Sequence, residues 1–224
     1  MARYTRSTGW PRKDTHMRRW YGIDIRDHLV RQTLFVCPRC GLDRDGTEVT
    51  PRRWATVFGL PVVPLGRLEQ IVTCNVCSHR CDMGVLDIPT TETLAGYLND
   101  ASRNGVVAVV RAGSDGSGNI DRAVRQFAVD TLLADGCRYD DDRLDADIIG
   151  IDHTDVMTSM QRLSEEMTTY GKQAFLHRLA AVALADGNMT EAQRHMLVDI
   201  GIALSMPAMH INDVITVADL AAAA

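Results

Sequence analysis

Cys37-Pro38-Arg39-Cys40 and Cys74-Asn75-Val76-Cys77 decide how the N-terminal third of this 224-residue chain folds. Two Cys-x-x-Cys knuckles are the usual way a protein assembles a closed, tetrahedral, all-thiolate zinc site. Thiolates are soft, strongly donating ligands, and four of them leave no coordination position for a reactive water. Cys37, Cys40, Cys74 and Cys77 are therefore expected to hold a structural Zn2+ whose binding energy folds a module otherwise too small for a stable core. Cys81 and His79 lie close enough in sequence for either to stand in for Cys77. A redox pair at Cys37 and Cys40 is disfavoured because no βαβ pattern surrounds them.

Working outward, Thr33–Val36 leads into the first knuckle and Gln70–Thr73 into the second, with Gly84–Ile88 leading out, and all three read as short strands. Strands feeding two metal knuckles describe a zinc ribbon over residues 32–90. The 33 residues between Cys40 and Cys74 exceed the roughly 15–20 of the commonest spacing, so the intervening hairpin must be long. It carries Trp54, Val57, Phe58, Leu60, Val62, Val63 and Leu65, and Pro61 and Pro64 deny it a regular central ladder. Residues 1–31 are polar and basic and are expected to form a weakly ordered arm.

Beyond residue 91 the apolar period becomes helical. Ile120, Ala123, Val124, Phe127, Ala128, Thr131 and Leu132 form one amphipathic stripe; Val156, Met160, Leu163 and Met167 form another; Met196, Leu197, Ile200, Ala203 and Leu204 a third. Residues 172–185 are apolar nearly all round, which predicts a central helix wrapped by the others. Ile211–Leu220 gives a last short helix. The expected fold class is thus α+β: a small β zinc ribbon followed by an all-α bundle over residues 91–224.

The charge divides the same way. Residues 1–90 carry a net +5 and residues 91–224 a net −10, in a chain that is 46% apolar and 24% charged. No run of 18 apolar residues occurs and no apolar stretch follows the basic N-terminus, so a cytoplasmic protein without a membrane span is expected, although peripheral association with a membrane complex stays open. Six cysteines in a reducing compartment point to metal rather than disulfides.

A 69-residue quasi-repeat marks the helical part, each unit reading helix, Asp-Gly, loop, helix, with turns at Asp115-Gly116 and Asp186-Gly187. Asp115, Asp121, Asp186, Asn188 and Glu191 are hard oxygen donors suited to Ca2+ or another divalent cation. Gly113 and Val124 occupy the places where an EF-hand loop needs its first Asp and last Glu, which excludes an ordinary EF-hand. Helix capping is the competing account, and Thr190-Glu191-Ala192-Gln193 reads as a capping box. The run Asp140-Asp141-Asp142 reads as a solvated loop. No Ser/His/Asp or Cys/His arrangement, Walker loop or His-Glu-x-x-His motif is present, so no catalytic residue is assigned.

The stretch Phe35–Gly41, the insertion Trp54-Ala55-Thr56-Val57-Phe58-Gly59-Leu60-Pro61-Val62-Val63-Pro64-Leu65-Gly66 and Cys74–Cys77 together resemble a bacterial zinc-ribbon family in which such an insertion separates the knuckles. That likeness implies fold and metal, with no function attached. Residues 92–218 are similar to TerB-like domains, the helical family named for tellurite resistance and related to a DnaJ-like co-chaperone, chiefly through Ala183-Leu184-Ala185-Asp186-Gly187-Asn188-Met189-Thr190-Glu191-Ala192-Gln193. The resemblance implies a bundle with pseudo-repeat symmetry, acidic metal-binding turns and a role in stress-associated protein complexes. The first turn departs from it, since Arg122 stands where Glu191 stands in the second.

Two functions follow. One is a non-enzymatic adaptor joining protein partners in a stress-response complex. The other is nucleic-acid binding by the basic N-terminal half, with Arg12, Lys13, Arg18 and Arg19 on phosphates and Trp20 on bases.

Overall fold

The computed structural model describes residues 20–114 and 119–222. The chain divides into two compact units at Ile88/Pro89. The first is a five-stranded antiparallel sheet: β1 (Tyr21–Cys37), β2 (Leu42–Val57), β3 (Leu60–Arg67), β4 (Ile71–Cys74) and β5 (Arg80–Asp82). β2 is its spine. β1 pairs with it along its whole length, while its other edge is shared, Gly46–Val49 taking β4 and Arg52–Val57 taking β3.

β1 begins eleven residues before the expected edge of the ribbon, so residues 21–31, read as arm, are the outer half of this strand. Alternation failed to reveal it because both faces of that half are exposed, leaving no buried side to write a period of two into the sequence. β3 breaks register twice against β2, between the partners of Arg53 and Trp54 and again between those of Ala55 and Thr56. Pro61 and Pro64 sit in this strand, where an edge tolerates residues that cannot donate to a ladder. Residues 84–88, expected as a strand, instead lie mostly within a 3-10 helix, Met83–Asp87, that tucks Val85 into the ribbon core. That small core consists of Phe35, Cys37, Val72, Cys74 and Val85.

The second unit contains α1 (Thr91–Ala112), α2 (Arg122–Ala134), α3 (Asp141–Gly150), α4 (His153–Ser164), α5 (Thr169–Ala183), α6 (Glu191–Ala203) and α7 (Ala208–Ala222). Thus a β module precedes an all-helical one, as the fold class requires. Among the described residues no helix is long and apolar enough to cross a membrane. The C-terminal half of α1 is enclosed as deeply as α5. Val106–Val110 is an unbroken buried run, and α1 packs against α2, α3, α4, α5 and α6. α5 leaves His177 and Ala181 exposed. The sequence hides this because a run of valines is a poor helix signal and carries no 3.6-residue stripe.

The acidic run is also not a loop. Asp140 caps α3 by accepting the Arg143 amide proton at 2.9 Å, and Asp141 and Asp142 occupy its first turn, where the exposed helix amides favour negative charge. Further along, Asp147 is buried and accepts from both Arg103 and the Tyr139 hydroxyl, the latter at 2.6 Å. Burial alone would raise the Asp147 carboxyl, but the guanidinium and hydroxyl donors outweigh it and the net shift is downward. A depressed carboxyl stabilises the fold above its unfolded value and loses that contribution as pH falls through the folded one. Asp147→Asn should therefore destabilise the helical unit by about 2 kcal/mol at neutral pH, less than a fully buried pair because Arg103 is partly solvated. Chemical denaturation of the variant across an acid series checks this: the gap from the parent should close as pH drops below the carboxylate range.

Candidate metal centre

The two knuckles are copies of one turn. Cys37 ends β1, and its carbonyl accepts the Gly41 amide proton at 2.8 Å; Cys74 ends β4, and its carbonyl accepts that of Ser78 at 2.9 Å. In both, the residue after the second cysteine has a left-handed backbone, with φ of 68° at Gly41 and 55° at Ser78. Glycine adopts this freely, whereas Ser78 costs about 1–2 kcal/mol there, a local strain the module offsets elsewhere. The second knuckle is pinned to β2 by the Asn75 amide, which donates to the Asp45 carbonyl at 3.0 Å, and by Thr47 Oγ1, which donates to Asn75 Oδ1 at 2.9 Å.

Register does the rest. Gly46 of β2 stands opposite Cys74, and Cys37 opposite Leu42, so both knuckles close at one end of the sheet. A Cβ on Gly46 would lie 2.5 Å from the Phe35 ring and 3.0 Å from Val72, so only glycine lets Phe35 floor the site against bare backbone.

The four ligand atoms of Cys37, Cys40, Cys74 and Cys77 all lie within 4.8 Å of one another. Cys37 Sγ and Cys77 Sγ are 3.7 Å apart. Sulfurs placed tetrahedrally at the Zn–S bond length of about 2.3 Å stand about 3.8 Å from each other, whereas a disulfide needs about 2.05 Å. All six cysteines are free thiols. The donor set, its number and its spacing thus fit a four-thiolate metal ion.

The electrostatics match that reading. Burial alone pushes the Cys74 thiol up, but the backbone amides of Cys77 and Val76 point at its sulfur and bring it down to about 7. Cys40 is pushed up to about 12, first by its contact with the Cys77 sulfur and then by burial and Cys37, with Arg44 opposing. Crowded thiols that resist ionising together are a demand for a dication, which would let all four ionise at once.

Cys77 is the fourth member. Cys81, on β5 opposite Val72, lies outside the group, its thiol raised by burial and by surrounding sulfur charge. His79 gives its backbone carbonyl to the Cys74 amide at 2.9 Å. Among the described residues these four cysteines are the one set of three or more Cys, His, Asp or Glu side chains close enough to share an ion.

Among the described residues the acidic turns do not gather in this way. Asp115 lies outside the described residues. Asp121 caps α2, accepting the Ala123 amide proton at 2.6 Å. Asp186 accepts that of Asn188 at 3.1 Å, and both residues are exposed. Glu191 projects into solvent beside His195 and Arg194. The capping box is formed as expected: Gln193 donates its amide to Thr190 Oγ1, and its side chain accepts from the Thr190 amide at 2.8 Å. Sequence reading missed what Gln193 also does. It is buried against Gly113 at the end of α1, where any Cβ would overlap its amide.

Of the nucleic-acid residues, Arg12, Lys13, Arg18 and Arg19 lie outside the described residues. Trp20 is exposed and rests against Phe58, ring centroids 5.3 Å apart. Comparison of the chain with protein-family models, curated proteins and solved structures returns no match.

Serine at Cys37, Cys40, Cys74 or Cys77 should abolish stoichiometric metal and melt the ribbon while α1–α7 stay folded. Cys81→Ser should retain one equivalent. Metal analysis with a two-wavelength melt, read in the β and α regions, distinguishes the cases.

Proposed function

We propose that this chain is a non-enzymatic, zinc-binding adaptor: a four-thiolate zinc ribbon joined to a TerB-like helical unit, serving a bacterial stress-response protein complex. The observation that carries the reading is the four-sulfur cluster. Four thiolates at tetrahedral spacing saturate a zinc ion, so the metal would act as a staple for the sheet rather than as a Lewis acid. What the staple steadies is a long sheet whose outer half has little core of its own, a shape suited to contact with another molecule.

The helical unit supports the same reading. Its quasi-repeat and its capped Asp-Gly turn accord with the TerB-like resemblance, and its net charge of −10 favours basic partner surfaces and speeds encounter with them.

A tagged copy purified from its own cells, with and without nuclease, tests the proposal. Proteins should remain bound after nuclease treatment and should be released when the metal is stripped. Material that leaves with the nucleic acid, with affinity falling steeply as salt rises, would replace the adaptor with a nucleic-acid-binding ribbon.

A further inference from the structure

The outer end of the sheet is an uncharged cap. It consists of Trp20 and the first residues of β1, Tyr21–Ile23, with Trp54–Val57 at the end of β2, the turn Phe58-Gly59, and Leu60–Gly66 of β3. The first charged residues behind it are Asp24, Arg53 and Arg67. At about 3.3 Å per residue the cap is roughly 13–16 Å deep. Within it Trp20, Tyr21, Phe58 and Leu60 each expose two thirds or more of their surface, at 67%, 77%, 71% and 68%.

The turn itself holds an aromatic residue in a strained backbone. Phe58 and Gly59 have φ of 51° and 82°, the left-handed pair of a type I′ hairpin turn, whose first position favours Asn, Asp or Gly. A bulky aromatic in that conformation is an outlier, and here it is held at the extreme tip with its ring in solvent against Trp20. Strain of this sort is retained where it serves a contact.

We propose that this cap inserts into the interfacial layer of an anionic membrane. Three observations favour a lipid surface over other occupants. The cap is mainly aliphatic beyond its aromatic tip, with Ile23, Leu60, Val62, Val63 and Leu65 exposed; such side chains gain from acyl chains but offer nothing to a phosphate or a base edge. Pro61 and Pro64 remove two amide donors from the β3 edge, which lessens the penalty of bringing that edge into a water-poor layer. Residues 1–19, joined directly to Trp20, carry six basic side chains and one acidic one. An apolar wedge continuous in sequence with a polybasic segment is the two-signal pattern that holds a protein on anionic lipid. The same composition disfavours a second copy, because each chain would bring its own excess of positive charge to the contact.

Flotation of the full metal-loaded chain with vesicles tests this. The protein should float with phosphatidylcholine vesicles containing about 30% phosphatidylserine, and at least tenfold less with phosphatidylcholine alone. Phe58→Asn places in the turn a residue suited to its backbone, so it should melt no lower than the parent while losing flotation at least tenfold. The idea is overturned if the parent floats with neither vesicle, or if the folded Phe58→Asn chain floats as well as the parent. It is equally overturned if light scattering shows a dimer that Phe58→Asn dissociates without any flotation, or if single-stranded DNA binds through Phe58 and the vesicles do not. None of these outcomes depends on the adaptor reading, because no protein partner is present.

Discussion

Four cysteine sulfurs drawn to within 4.8 Å of one another are the constraint on which the N-terminal unit depends. Its apolar core is five residues, two of them cysteines, far less than a β module of this length needs to fold by burial alone. The features around the cluster make sense as ways of bringing it together. Gly41 and Ser78 take left-handed backbones to close the knuckles, Asn75 ties one knuckle to the strand beside the other, and Gly46 gives up its side chain so that Phe35 can lie beneath. Short-range thiol repulsion is then relieved by a cation, which links folding to metal binding.

The same economy explains the contrast between the two ends of the sheet. Near the cysteines both β1 and β2 bury residues, including Glu48, whose carboxylate accepts from Arg31 at 2.6 Å. Toward the tip, the strands expose apolar side chains on both faces. A metal-anchored base and a free apolar end describe a lever arm whose outer part is available for contact. The helical unit is organised on the ordinary principle instead, with the buried C-terminal half of α1 surrounded by amphipathic helices and a part-buried Arg103–Asp147–Tyr139 cluster beside it.

Much of this was legible in the residues. Cys-x-x-Cys is a local motif whose chemistry travels with its spacing, so the cluster and the hairpin it closes could be read directly. Thr190-Glu191-Ala192-Gln193 was equally plain, because a capping box is written within four residues. What escaped notice was structure lacking a one-sided environment. Residues 21–31 are strand with neither face buried, and Val106–Val110 are helix with every face buried, so neither leaves a period in the sequence. Asp186 and Glu191 illustrate a different limit. Their spacing suits an ion and suits a helix end, and only coordinates show that each is exposed and engaged with its own turn.

The central claim is that a single four-thiolate metal ion organises the ribbon. X-ray absorption at the zinc edge of the purified chain addresses it most directly. One zinc per chain with a single shell of four sulfurs at about 2.3 Å is expected. A shell containing nitrogen or oxygen at about 2.0–2.1 Å, or a chain that folds its sheet with no metal bound, would contradict it.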